Sequence, residues 1–162
     1  MKKSLFIFVG IFLSLAATRL IPHPPNFTSL LALSFYVPAL LGIRYLPLLI
    51  ISFAITDLII GYHFTTHWTW GSVLIIGFLP MIFSNNIFPR IIGALTGAVI
   101  FYIITNFGIW TNGSYGYNWE GLINCFTLAI PFFTYSLLST LLFSIIIEIF
   151  YSLLKTRVKK YI

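Results

Sequence analysis

Long apolar blocks, separated by short polar segments, run along almost the whole chain. Most of these blocks are close in length to the roughly 20 apolar residues that an α-helix needs to cross a bilayer, so they predict transmembrane helices. We predict an all-α membrane protein of six spans, at about residues 4–21, 29–42, 45–61, 70–84, 91–110 and 132–154. A short helix near 119–130, before Pro131, is expected to lie at the membrane interface. The whole chain, 1–162, is interpreted as a single transmembrane domain.

A proline-rich link, residues 19–28, joins the first two apolar blocks. Pro22, Pro24 and Pro25 lack amide hydrogens and push the preceding residues into extended conformations, so the middle of the link is not helical. Lipid cannot satisfy the backbone polar groups of such a segment, which therefore lies at an interface or lines a cavity. Its polar side chains, which we treat as candidate ligand contacts, are Arg19, His23, Asn26 and Thr28.

The composition supports a membrane protein and excludes several other classes. The chain is 59% hydrophobic and 7% charged, whereas ordinary globular chains carry about 25% charged residues. The basic residues stand at the ends of the apolar blocks instead of forming the clustered groove of a nucleic-acid-binding protein. We therefore expect a bilayer and no nucleic acid as partner. The one cysteine, Cys125, excludes an internal disulfide.

The positions of the basic residues predict the orientation in a bacterial inner membrane. With six spans and both termini cytoplasmic, only Arg19 lies outside, in agreement with the positive-inside rule. The basic residues then inside are Lys2, Lys3, Arg44, Arg90, Lys155, Arg157, Lys159 and Lys160. The start of the chain is similar to a signal peptide, but no clear small-x-small cleavage site precedes Arg19. We therefore expect the first apolar block to be retained as a span.

This orientation places most of the remaining polar groups, and all the tryptophans, on the outer side. An ordinary aromatic belt would occur at both interfaces, so the asymmetry favours an outward-facing pocket of aromatic faces and a few hydrogen-bonding groups. Candidate ligand contacts beyond the link are Asp57, His63, His67, Trp70, Asn106, Trp110, Tyr115 and Trp119.

Two acidic residues within apolar blocks require partners, because a charge in a span is unfavourable. Asp57 is expected to form a structural ion pair with Arg19; the alternative is that one or both contact a ligand. Glu148 is expected to pair with Arg44 or Arg90, or to extend towards the interface.

No cofactor, metal or catalytic activity is predicted. His63 and His67 have the i, i+4 spacing of zinc ligands, and His23, Asp57 or Cys125 could supply a third. The surrounding threonines and tryptophan favour hydrogen-bonding histidines instead. The chain contains no Gly-x-Ser-x-Gly or Cys-His signature, no aspartate pair and no phosphate-binding glycine loop, so we do not expect an enzyme.

Several short motifs, spread in order over most of the chain, resemble an uncharacterised family of small bacterial integral membrane proteins. They are Pro-His-Pro-Pro-Asn-Phe-Thr at 22–28, Asp57-Leu58 with Gly61-Tyr62-His63, Thr105-Asn106-Phe107-Gly108 with Trp110, Gly121-Leu122 with Cys125, and Pro131-Phe132-Phe133. That family is in turn similar, in size and six-span layout, to the S components of energy-coupling-factor transporters. The chain departs from the family at Ser29, at residues 34–38, and at Ser139-Thr140, where Gly-Asp is expected.

The resemblance and the polar pattern together suggest a function. They imply an S-component-like bundle that captures a vitamin- or micronutrient-like solute for uptake, with partner subunits supplying the energy. The alternative is a non-transporting structural or assembly subunit of a larger membrane complex, in which the same aromatic residues contact lipid or protein.

Overall fold

The computed structural model describes residues 2–83 and 86–160, and the side chains of 4–83 and 86–155. This part of the chain is all-helical and contains no strand. Its α-helices are α1 (Lys2–Leu20), α2 (Leu30–Leu41), α3 (Leu46–Ile60), α4 (Thr66–Phe78), α5 (Ile87–Thr111), α6 (Trp119–Leu128) and α7 (Ile130–Lys160). Two 3₁₀ turns, Ile43–Tyr45 and Leu79–Met81, lie before α3 and after α4.

A helix occurs at the place of each predicted span, and α6 is the short helix predicted before the last one. Three stretches are long and apolar enough to cross a membrane, namely Ile43–Ile60, Ile87–Thr111 and Ile130–Lys155. The apolar helices Ser4–Leu20 and Leu30–Leu41 are shorter. The all-α class and the presence of potential membrane spans are therefore confirmed, while six crossings and an S-component-like arrangement stay predictions.

The beginning of α4 differs from the prediction, which placed residues 62–70 in a loop. The helix already starts at Thr66, after a turn in which the Thr66 amide donates to the His63 carbonyl over 2.9 Å. Threonine and serine hydroxyls are compatible with this helix because they bond to carbonyls one turn back, as Thr69 does to Thr66 and Ser72 to Thr69. His67, Trp68 and Trp70 are therefore helical residues.

Prolines and glycines set several helix boundaries. Pro47 and Pro131 stand in the first turns of α3 and α7, where a missing amide hydrogen leaves no broken bond. Pro38 lies inside α2, which ends at Leu41 and is followed by Gly42 with φ of 101°. The predicted break at Pro131 is thus a boundary between α6 and α7, with Pro131 opening the longer helix.

Helix α2 lies at the centre of the bundle and packs against α3, α4, α5 and α7. Helix α1 packs on α3, and α6 packs on α5. Close packing depends on glycines of α5: a Cβ at Gly93 would overlap the ring of Phe35, and one at Gly108 would overlap the indole of Trp68. These contacts hold α2 and α4 against α5.

Substituting Gly121 with alanine is expected to lower the free energy of unfolding by about 1–3 kcal/mol, the usual cost of overpacking. Gly121 donates to the Asn118 side chain that caps α6, and an added Cβ would overlap the carbonyl oxygens of Tyr115 and Gly116. Gly71, in α4, has open space beside it, so Gly71→Ala should stabilise by about 0.5–1 kcal/mol. Denaturant unfolding in detergent micelles measures both; equal effects of the two substitutions would contradict the expected packing of the 112–118 loop.

Candidate functional site

Two neighbouring cavities lie at the end of the bundle where the proline-rich link and the α3–α4 connection meet. One, of about 260 Å³, is lined by Arg19 and Asp57 and is called the ion-pair lobe. The other, of about 250 Å³, is lined by Asn106 and is called the amide lobe. The residues lining both lobes are Asn26, His63, Thr69, Phe101 and Ser136. Because they share these residues, we treat the two lobes as one site, the hollow.

The ion-pair lobe contains the predicted pair between α1 and α3. The Arg19 Nη2 atom lies 2.6 Å from Asp57 Oδ1, and Arg19 Nη1 donates to the Thr56 hydroxyl. The indole nitrogen of Trp70 donates to Asp57 Oδ2 over 2.5 Å, and the guanidinium lies 4.6 Å from the ring centroid of Phe53. Both carboxylate oxygens are therefore bonded within the protein, which supports the structural role of the pair. Its two charges cancel.

Three hydroxyls of the helices around the amide lobe can accept hydrogen bonds but have no free hydrogen to donate. The hydroxyls of Thr69, Thr105 and Ser136 donate to carbonyls of their own helices, over 2.7, 2.7 and 3.1 Å. The Asn106 side-chain nitrogen donates to the Tyr102 carbonyl over 2.7 Å, whereas its oxygen has no hydrogen bond within the described chain. Asn106 is 7% exposed. Since each of these hydroxyl hydrogens is already used, the three hydroxyls offer a ligand only lone pairs, and donors come from the side chains of Asn26, His63 and Asn106.

The proline-rich link is folded over the hollow. Asn26 adopts a left-handed conformation with φ of 63°, which asparagine tolerates better than most residues. The Phe27 amide donates to the Pro24 carbonyl over 3.0 Å, closing a turn. The Ser139 hydroxyl of α7 lies 3.4 Å from the Asn26 carbonyl. Ser139 is at one of the positions where the chain departs from the resembled family, and here it contacts the link.

The structure brings some of the predicted contact residues together and leaves others apart. Those lining the hollow are Arg19, His23, Asn26, Thr28, Asp57, His63 and Asn106. Trp70 reaches the hollow only through its bond to Asp57.

Besides Trp70, four predicted residues line neither lobe. His67 packs on Trp68, with 5.5 Å between ring centroids, and Trp110 packs on Phe107 at 5.6 Å. The Trp110 indole nitrogen is buried and has no hydrogen-bond partner within the described chain. Tyr115 and Trp119 are 39% and 74% exposed. The turns at Gly113 and Gly116, both with positive φ, and the Asn118 cap of α6 place Tyr115 and Trp119 outside the hollow.

Several lining residues of the hollow were not predicted from the sequence. Thr69, Phe101 and Ser136 line both lobes, and Tyr102 and Phe132 line the amide lobe. Each lies inside a helix, so its position in the wall depends on how that helix is rotated against its neighbours.

The histidines and cysteine do not converge on a metal site. The described side chains contain no group of three or more histidine, cysteine, aspartate or glutamate residues placed to hold an ion. The His63 Nδ1 atom is 2.8 Å from the Thr65 hydroxyl, as expected for a hydrogen-bonding histidine. Cys125 is buried in α6, and burial raises the pKa of its thiol. This disfavours the thiolate that a metal would require.

A second polar cavity, of about 410 Å³, lies at the opposite end of the bundle and is called the Arg90 pocket. Arg90 Nε and Nη2 donate to the two carboxylate oxygens of Glu148 over 2.7 and 2.6 Å. Of the partners expected for Glu148, the structure therefore shows Arg90. Arg44 is exposed and lies over the Tyr45 ring. The side chains of the predicted basic ends, Lys2, Lys3, Arg157, Lys159 and Lys160, lie outside the described residues.

The architecture defines the class: an all-helical protein, over the described residues, with three stretches able to span a membrane and a hollow with polar side chains between helices. The chain belongs to DUF6580, a family of unknown function, which it matches over residues 1–161. Comparisons with curated proteins and with solved structures give no match. The predicted membership of an uncharacterised family is thus confirmed, whereas the similarity to S components stays a prediction.

Proposed function

We propose that the chain is a membrane-embedded binding protein that captures a small solute in the hollow for uptake, as S components do. The observation that carries this proposal is the hollow itself, two adjoining cavities with polar walls in a chain that is 59% hydrophobic. A cavity between helices that combines aromatic faces with a few polar groups is the usual form of a small-molecule site.

The chemistry of the walls indicates the kind of solute. The Arg19–Asp57 pair is internally neutralised, so the hollow offers no unbalanced charge to attract an ion. Deep in the hollow, Thr69, Thr105, Ser136 and the Asn106 oxygen supply acceptors beside aromatic rings such as Phe101 and Phe132, whereas Asn26 and His63 at the mouth can also donate. We therefore propose an uncharged, flat solute whose edge donates hydrogen bonds, such as an amino- or hydroxyl-substituted heteroaromatic. Its size is limited, since each lobe is below the about 300–1,000 Å³ typical of drug-sized ligands.

The proposed setting follows the orientation derived from the sequence. The chain lies in the bacterial inner membrane with both termini cytoplasmic, so the hollow faces outwards beneath the proline-rich link. His23, Asn26 and His63, which are exposed, stand at its mouth and make the first contacts with the solute. The sequence contains no nucleotide-binding motif, and energy for uptake would come from partner subunits.

Binding is expected to depend on donor groups of the solute and on the acceptors of the hollow. A panel of amino- and hydroxyl-substituted heteroaromatics should raise the unfolding temperature of the purified protein, by mass action. Analogues with methylated amino or hydroxyl groups should not. Thr105→Val should weaken binding about two- to tenfold, the equivalent of one hydrogen bond of about 0.5–1.5 kcal/mol.

Thr96→Val is the matched control for Thr105→Val. Both threonines lie on α5 and donate to the carbonyl four residues back, over 2.9 and 2.7 Å, but only Thr105 lines the hollow. Equal loss of binding in both variants, or tighter binding of the methylated analogues, would contradict the proposed solute chemistry.

The alternative function, a structural subunit of a larger complex, is favoured by one observation. An apolar groove of about 610 Å³ runs between α1 and α7 over α2, lined by residues such as Leu33, Val37, Ile146 and Phe150. A subunit of this kind would be stabilised by no member of the solute panel and would be recovered from membranes with its partner chains.

A further inference from the structure

A ridge of polar residues follows α7 at every fourth position through an apolar bundle. Its members are Ser136, Thr140, Ser144, Glu148 and Ser152. The first four are buried, with exposed fractions of 2%, 0%, 0% and 6%. At 1.5 Å per residue the ridge extends over about 24 Å, most of the about 30 Å thickness of a bilayer core. Polar groups at such depth usually have a functional reason.

The two ends of the ridge open into the two polar cavities of the protein. Ser136 lines both lobes of the hollow. Glu148 and Ser152 line the Arg90 pocket at the other end of the bundle. Thr140 and Ser144, the middle members, line none of these cavities and are packed between α7 and its neighbours.

The middle of the ridge has hydroxyls that lack hydrogen-bond partners. The described chain contains four buried side-chain polar atoms without one, and three belong together here: the hydroxyls of Thr140, Ser144 and Tyr36. Tyr36 of α2 places its hydroxyl within reach of a hydrogen bond with Ser144 and with Glu148, although neither contact has the geometry of a formed bond. Buried hydroxyls are nearly always bonded to protein or to ordered water, so an unpartnered group of three requires an explanation.

We propose that the ridge binds a chain of buried waters that connects the hollow with the Arg90–Glu148 ion pair. Water suits these groups because each hydroxyl can donate and accept, and a buried water typically makes about three hydrogen bonds. The bidentate bond between Arg90 and Glu148 lies at the far end of the chain, where the ridge meets the Arg90 pocket. Water and protons would thereby reach Glu148 from the hollow without crossing lipid. The inference does not depend on which solute the hollow binds.

Thermal unfolding distinguishes a hydrated ridge from a dry one. If Thr140 binds water, Thr140→Val removes a hydrogen bond and should lower the unfolding midpoint by about 2–4 °C for a chain of this length. If the hydroxyl is dry, the same substitution relieves an unpaired polar group and should raise the midpoint. Thr134→Val is the control, because Thr134 lies on the same helix, is exposed and donates to the Ile130 carbonyl over 3.1 Å.

Hydroxyl-radical footprinting tests the water directly in the unmodified protein. X-rays generate radicals from bound water in place, so a buried side chain is labelled only where water lies beside it. Tyr36, 2% exposed, should be labelled, whereas Phe35, next to it and 0% exposed, should not. Thr140→Val should abolish most of the Tyr36 labelling. A Tyr36 as unlabelled as Phe35, labelling that Thr140→Val leaves unchanged, or a raised midpoint in Thr140→Val would each overturn the proposal.

Discussion

Replacing Arg19 with methionine is expected to lower the free energy of unfolding by about 3 kcal/mol. Breaking a buried ion pair by removing one partner costs about 3–5 kcal/mol, because the other charge stays buried. The lower end applies here, since the Arg19 and Asp57 side chains are 15% and 8% exposed. The substitution would also remove the bond to Thr56 and the contact with Phe53, both of which fix α1 against α3.

Denaturant unfolding in detergent micelles provides the measurement, with two comparisons. The double variant Arg19→Met, Asp57→Leu should recover much of the loss, since it removes both charges together. Arg44→Met, at an exposed arginine that lies 5.0 Å from the Tyr45 ring centroid, should change the stability by less than about 1 kcal/mol. If Arg19→Met left the stability unchanged but abolished solute binding, the pair would belong to the ligand site instead of the scaffold.

The sequence was sufficient to predict this pair but not its surroundings. Arg19 and Asp57 are opposite charges near the same predicted boundary, and each needs a partner in an apolar environment. The bond from Trp70 to Asp57 depends on the start and rotation of α4. The predicted start of α4, residue 70, lies four residues after the observed one, because the polar residues before it were interpreted as a loop. In the structure the hydroxyls of Thr69 and Ser72 donate to carbonyls of the same helix, so they are compatible with it.

The helices themselves could be predicted because length and hydropathy determine them. Proline and glycine mark their ends at Gly42, Gly61 and Pro131. What the pattern leaves open is which of several equivalent partners meet. The sequence predicts both Arg44 and Arg90 on the cytoplasmic side, so either could pair with Glu148. Only the packing of α5 on α7 brings Arg90 to Glu148.

The candidate site shows the same division. The link residues of the hollow were predicted, because prolines force that segment out of a helix and leave its polar side chains available. Thr69, Phe101 and Ser136 were not, because each is one of several residues on a long apolar helix. Tyr115 and Trp119 were assigned to the site because the predicted orientation puts them on the outer side, yet the turns at Gly113 and Gly116 place them outside the hollow.

Replacing Glu148 with glutamine is expected to have the largest effect on stability, a loss of about 3–5 kcal/mol. Arg90 and Glu148 are 5% and 6% exposed, and their two parallel bonds of 2.7 and 2.6 Å join α5 to α7. An amide cannot neutralise the guanidinium, and its NH₂ group would face another donor. The loss should exceed that of Arg19→Met, because this pair is more deeply buried.

Glu120→Gln is the matched control for Glu148→Gln, since Glu120 is exposed in the first turn of α6. There the lost interaction is with the helix dipole, about 0.3–1 kcal/mol. The double variant Arg90→Met, Glu148→Leu should be more stable than Glu148→Gln alone, because replacing both members of a buried pair by apolar residues is often neutral. A loss in Glu148→Gln no larger than in Glu120→Gln would mean that water reaches the pair freely enough to screen it. The ion pair would then no longer account for the attachment of α5 to α7.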